Sequence, residues 1–134
     1  MKEKQEQKRF LQWISVKERV HTRDSQPPYF HEGEMWWAYV GENVGSETNG
    51  KGKQFTRPVV IYRKLGAYTF LGIPTTTKQK EGTWFVPFRH KDIAEVAVLS
   101  QIRILSSKRL REKIGEIDES DMSRIRKGFR DLYL

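Results

Sequence analysis

The chain has 134 residues, enough for one domain with a terminal arm, and its 25 Lys and Arg against 17 Asp and Glu leave a net charge of +8. Such a field favours an anionic partner: nucleic acid, an acidic protein or an anionic surface. The absence of cysteine excludes disulfides, thiolate nucleophiles and cysteine-ligated zinc. No apolar run nears the ~20 residues of a membrane span. Residues 1–8 lack the apolar core of a signal peptide, so a cytoplasmic protein without membrane contact is expected.

In chain order, residues 5–21 predict a helix whose apolar stripe is Phe10, Trp13, Ile14, Lys17 and Val20. Residues 22–30, with Pro27-Pro28, break it and act as a linker, so residues 1–32 are expected to form an arm packed on the edge of a domain spanning 33–134. Gly33 to Val40 reads as an aromatic-rich strand, in which one of Trp36 and Trp37 faces inward and the other outward. Residues 41–56 form a long polar loop with four glycines, Glu42, Glu47, Lys51 and Lys53, and loops of this length carry function. Strands follow near 57–63, 67–75, 83–88 and 95–105, joined by short turns with no helix between them. Ser106 or Ser107 is expected to cap a short helix ending at Gly115. Asp118 or Ser120 is expected to cap a final helix burying Met122, Ile125, Phe129 and Leu132. Several short strands followed by helix give a mainly β, α+β class: a small antiparallel barrel with a C-terminal helix.

Two runs stand out. Thr56-Arg57-Pro58-Val59-Val60-Ile61-Tyr62 and Leu71-Gly72-Ile73-Pro74-Thr75-Thr76-Thr77 are both apolar and β-branched, and both carry polar groups at one end. As neighbouring strands they place a permanent cation beside a row of hydroxyls, a fitting grip for a phosphodiester. Lys51 and Lys53, with Phe55 nearby, add a basic loop with a ring, the mixture that holds single-stranded RNA. The plain alternatives are a surface ion pair between Arg57 and Glu47, and threonines present for β-propensity alone. His21, His31 and His90 have no metal-ligand spacing and read as surface histidines, and no cofactor is called for.

Several features then fall in one order. Gly33-Glu34-Met35-Trp36-Trp37 resembles the first strand of the MazF/PemK/Kid toxin endoribonucleases. Gly45-Ser46-Glu47 resembles their glycine-x-glutamate loop, Arg57-Pro58 their arginine-proline strand, and Pro74-Thr75-Thr76 their proline-x-threonine strand. Ser100-Gln101-Ile102-Arg103, followed by Lys108-Arg109-Leu110, is similar to their glutamine-x-arginine strand and its succeeding helix. The resemblance implies a barrel related to SH3 domains, a homodimer, metal-independent cleavage of single-stranded RNA, and a cognate antitoxin bound across the dimer.

It also implies roles. The conserved arginine falls on Arg57 and the catalytic threonine on Thr76, with Thr77 next in register. RNA brings its own nucleophile, the 2′-hydroxyl, so Arg57 would stabilise charge on the phosphorus oxygens while Thr76 holds one of them. Glu47 would orient Arg57 or accept the 2′-hydroxyl proton. Thr75, Thr77, Ser100 and Gln101 join Lys51, Lys53 and Phe55 as substrate contacts. Three departures stand out: Ser100 replaces an acid that many members carry, the loop from 47 to 57 is longer, and the arm before 33 is extra. Two other functions stay open: a non-catalytic member that binds RNA or an acidic protein, and a poison of a DNA-supercoiling enzyme, which related barrels also produce.

Overall fold

The computed structural model describes residues 2–24, 26 and 28–134, so Pro27 of the expected proline break lies outside the described residues. Helix α1 (Lys2–His21) is followed by strands β1 (Glu34–Tyr39), β2 (Thr56–Lys64), β3 (Thr69–Thr76), β4 (Phe85–His90), β5 (Ile93–Val98), β6 (Arg103–Ser106) and β7 (Leu110–Glu116). Helix α2 (Glu119–Tyr133) closes the chain. The strands pair antiparallel in one curled sheet, an open half-barrel, in the order β4-β5-β3-β2-β1-β7, with β6 beside the first half of β3. Among the described residues, no helix is long and apolar enough to cross a membrane.

Strand β2 runs through the middle because Val59-Val60-Ile61 is apolar on both faces, as a doubly covered strand requires. Val60 joins Met35, Ile73, Val86 and Leu99 under α2, which sinks Met122 and Ile125 into that cluster. Each such side chain contributes about 2 kcal/mol when fully buried. Phe129 and Leu132 are only half-buried. On the other face Val59 and Ile61 meet Trp36, Phe70, Leu105 and Leu110. Phe30, read from sequence as the end of a linker, plugs this second core, its ring centre 5.4 Å from that of Phe70. Of the tryptophan pair, Trp36 is buried and Trp37 is partly exposed.

Three sequence expectations need correcting. The stretch from 95 to 105 is not one strand. It runs along β3 twice, as β5 opposite Thr75–Thr76 and as β6 opposite residues 69–72, and a 3-10 turn at Leu99–Gln101 separates the two. Leu99 anchors that turn in the core, and its amide donates to the Trp84 carbonyl at 2.8 Å. The predicted helix over 106–115 is instead a single 3-10 turn and then strand β7. Ser106 does cap that turn, its hydroxyl accepting the Lys108 amide at 3.2 Å, but Leu110 then pairs with Ala38 and Lys113 with Trp36. The ladder on the open edge of β1 outweighs the helix propensity of Arg111-Glu112-Lys113. On α1 the buried residues are Trp13, Val16 and Val20, while Phe10 and Ile14 face outward. The contact is a narrow ridge over Phe55 and Tyr39, so the helix turns the bulkiest ring of its stripe inward and leaves the rest exposed.

Candidate active site

Between β1 and β2 the chain folds into two lobes. The first is stapled by Gly50 N–H on the Gly41 carbonyl at 2.7 Å and by Asn43 N–H on Asn49 Oδ1 at 2.6 Å. The second is a tight turn closed by the mutual bonds of Lys51 and Thr56. Gly50 is obligatory here, because a Cβ would lie 1.9 Å from the Phe55 carbonyl oxygen. The first lobe also reaches the 3-10 turn after β5, where Gln101 Oε1 accepts the Thr48 amide at 3.0 Å.

Arg57 stands at the start of β2, half-buried, where the lobes meet. Its Nε donates to the Asn49 carbonyl at 2.8 Å and its Nη1 to the Thr75 carbonyl at 3.2 Å. Both acceptors are neutral, and no carboxylate among the described residues pairs with this guanidinium. Burial lowers its affinity for the proton somewhat, though an arginine remains a cation at any working pH. A cation aimed by two carbonyls and left without a counter-ion is prepared for an incoming anion.

Two cavities adjoin it, and a third shares walls with one of them. One of about 410 Å³ is lined by Arg57, Thr76, Glu47, Ser100 and Gln101, with Lys51, Lys78 and Lys80 around its rim. One of about 560 Å³ lies on the other side of Arg57 and Thr76, walled by Trp37, Thr77, His90, Ile93 and Glu95. One of about 460 Å³ extends beyond Glu47, Thr48, Ser100 and Gln101 toward Arg103. Shared walls make a groove, with Arg57 and Thr76 where two of the cavities join.

The groove thus gathers Arg57, Thr76, Thr77, Glu47, Lys51, Ser100 and Gln101. Thr76 is half-buried and its hydroxyl accepts the Lys78 amide at 3.2 Å. Glu47 shares a cavity with Arg57 but accepts the Val44 amide at 2.9 Å, and among the described residues it makes no ion pair with Arg57, the plain alternative for that arginine. Three residues depart from expectation. Phe55, expected to stack on a base, is 1% exposed and packs against Trp13, because it is the anchor of the loop on α1. Lys53 is exposed at the tip of the tight turn and lines none of the three cavities. Thr75 lines the cavity on the Trp37 side but is fully buried, its hydroxyl donating to the Pro58 carbonyl at 3.2 Å, so it joins the two strands from within the cavity wall.

Four residues of the groove escape a reading from sequence. Lys78 and Lys80 read there as a turn. His90, which reads as a surface residue, lines the cavity beside Arg57 and crowds Gly115, where a Cβ would meet its Nε2 at 2.6 Å. Glu95 is buried at 7% exposure, with Oε2 unpartnered. Burial pushes its carboxyl above the usual range, a rise that the Thr75 hydroxyl and His90 partly offset. The available signal is an acid inside the apolar run from Ile93 to Leu99.

Comparison with solved structures gives the same fold. MazF from Deinococcus radiodurans superposes with a TM-score of 0.65 at 18% identity, over 78% of this chain and 97% of that one. The MazE-MazF complex from the same organism gives 0.59 at 18%, over 78% and 96%. An endoribonuclease from Mycobacterial species, solved in complex with its cognate antitoxin, gives 0.59 at 14%, over 77% and 93%. A sequence comparison with curated proteins finds no match. The model of the PemK-like, MazF-like toxins matches residues 31–133, which takes in every strand, α2 and the whole groove. The chain therefore belongs to the family of PemK-like, MazF-like toxins of type II toxin–antitoxin systems.

Proposed function

We propose that the protein acts as a toxin by cutting single-stranded RNA without a metal, with Arg57 and Thr76 at the scissile phosphate. The observation that carries this reading is the placement of Arg57, uncompensated and aimed by the Asn49 and Thr75 carbonyls, where two cavities of a continuous groove meet. A phosphate at that junction leaves cavities on both sides for neighbouring nucleotides.

In the proposed reaction the substrate's 2′-oxygen attacks phosphorus and the bond to the 5′-oxygen breaks. The products are a 2′,3′-cyclic phosphate and a 5′-hydroxyl, the leaving 5′-oxygen taking its proton from water. Arg57 stabilises the charge that grows on the non-bridging oxygens. The Thr76 hydroxyl, which accepts the Lys78 amide and keeps its own proton free, donates to one of them. Glu47 lines the same cavity, and it takes the 2′-proton. Ser100 contributes a hydrogen bond and no basicity. Lys51, Lys78, Thr77 and Gln101 hold the flanking backbone.

The mycobacterial relative was solved with its cognate antitoxin. We extend the proposal to a cognate antitoxin here, to a homodimer, and to a division of the chain into an arm over 1–32 and a barrel domain over 33–134.

The test is incubation of the protein with mixed-sequence single-stranded RNA in EDTA, beside Arg57→Ala, with the fragment ends mapped. The expected result is cutting at a short recurring sequence. Arg57→Ala lowers it by at least ~100-fold while the circular dichroism spectrum is unchanged. RNA that stays intact but bound assigns the groove to a non-catalytic binding protein.

A further inference from the structure

Helix α1 ends before residue 31, outside the segment that the family model matches, yet its Arg9 and Trp13 both contact the loop behind Arg57, while its C-terminal end meets residues 107–109. Arg9 Nε donates to Glu42 Oε1 at 2.8 Å, and its two terminal nitrogens donate to the carbonyls of Gly52 and Gly50, each at 3.3 Å. Its guanidinium lies over the Phe55 ring, 4.3 Å from the centre. Four residues further along α1, Trp13 packs on the same ring, with centres 5.5 Å apart. The indole also fills the space at Gly41 so closely that a Cβ there would lie 2.2 Å from it.

The loop is held from both sides. Arg9 binds the Gly50 carbonyl, and Arg57 binds the Asn49 carbonyl immediately before it. A shift of the Gly50 peptide therefore moves one of the two acceptors that aim Arg57. Gly50 is itself wedged against Phe55, the residue on which Arg9 and Trp13 both rest.

We propose that Arg9 and Trp13 are positioning residues: α1 clamps the loop from 41 to 55 and, through adjacent carbonyls, fixes the orientation of Arg57. The clamp itself stands on geometry, and only its effect on cleavage rests on the ribonuclease reading. The Arg9–Glu42 pair matters because Glu42 is largely shielded, with its side chain 10% exposed, so its contact with Arg9 is screened less than a surface pair. The fork of Arg9 meets one carboxylate and two carbonyls at once, which a lysine cannot do.

The test uses the full chain with Arg9→Ala, Arg9→Lys and Glu42→Gln. The Nε–H resonance of Arg57, identified by its loss in Arg57→Lys, reports the bond to Asn49. Steady-state cleavage of single-stranded RNA gives kcat and KM. In Arg9→Ala that proton should exchange with solvent about tenfold faster, and kcat should fall about tenfold with KM changed less than about twofold. Arg9→Lys should recover part of both effects. If Arg9→Ala fails to fold, Glu42→Gln, which leaves Trp13 docked, carries the same two measurements with the same expected signs. An Arg57 proton as protected as in the wild type overturns the clamp, whether or not kcat falls, because α1 then acts only as added stability. Faster exchange in a protein whose wild type cuts no RNA upholds the clamp and overturns the ribonuclease reading instead.

Discussion

Glu34, at the start of β1, is 4% exposed and still an anion. Burial alone would raise its pKa. Lys113 Nζ at 2.9 Å, the Trp36 indole N–H at 3.0 Å and the His31 amide at 2.7 Å all donate to it, and together they hold the carboxyl below its usual range. A carboxyl depressed by folding contributes stability above its unfolded pKa, and loses it as pH falls through the folded one. Glu34→Gln should therefore cost about 1–3 kcal/mol in urea unfolding at pH 7. The difference should narrow at pH values below the ordinary carboxylate range. An equal cost at both pH values means that Glu34 holds β1 by shape and not by charge. Residues of this kind mark the limit of sequence reading. Arg57 and Thr76 are legible because each is a polar group at the end of an apolar, β-branched run. The inward turn of Thr75, the burial of Phe55 and the orphaned carboxyl of Glu95 depend on which face a neighbouring strand covers, which the local pattern does not encode.

At the level of elements, the strands are legible from their composition, and the failures come where a partner decides. Leu110 to Glu116 carries helix-forming residues, but β1 offers an open edge and takes it as a strand. Helix α1 is legible as a helix but not in its orientation, because the ring it covers belongs to a loop 35 and more residues away. Docking of α1 turns on Gly41, whose φ of +87° and contact with Trp13 both exclude a side chain. Gly41→Ala should displace Trp13 and destabilise the protein by about 1–3 kcal/mol, from backbone strain and lost packing. Chemical denaturation checks the size. A second check is hydrogen exchange, in which the Gly50 and Lys51 amides should lose protection while those of β2 and β3 keep it. Uniform loss across the sheet would make α1 part of the core and not a separable clamp.

Across the whole molecule the net charge of +8 is unevenly engaged. The cations of α2 are mostly answered: Arg124 by Asp121, Arg126 by Glu119 and Lys127 by Asp131. Lys51, Lys78 and Lys80 line the cavity at Arg57 and are in no ion pair among the described residues. A single strand laid in the groove should release counter-ions there, and its affinity should fall as salt rises, with a log–log slope of about −0.7 for each phosphate neutralised. The double variant Lys78→Ala with Lys80→Ala should flatten that slope by roughly 1.4, two phosphates' worth, because both lysines sit on the path. Arg124→Ala with Lys127→Ala removes the same charge from α2 and should leave the slope within error of the wild type. The measurement is a salt titration of binding to an RNA with 2′-deoxy substitutions, which cannot be cut by its own 2′-oxygen. If the two double variants flatten the slope equally, net charge alone attracts the strand and the groove does not define its path. If only the α2 variant does so, the RNA crosses the helix face, and the cavities beside Arg57 must hold something else.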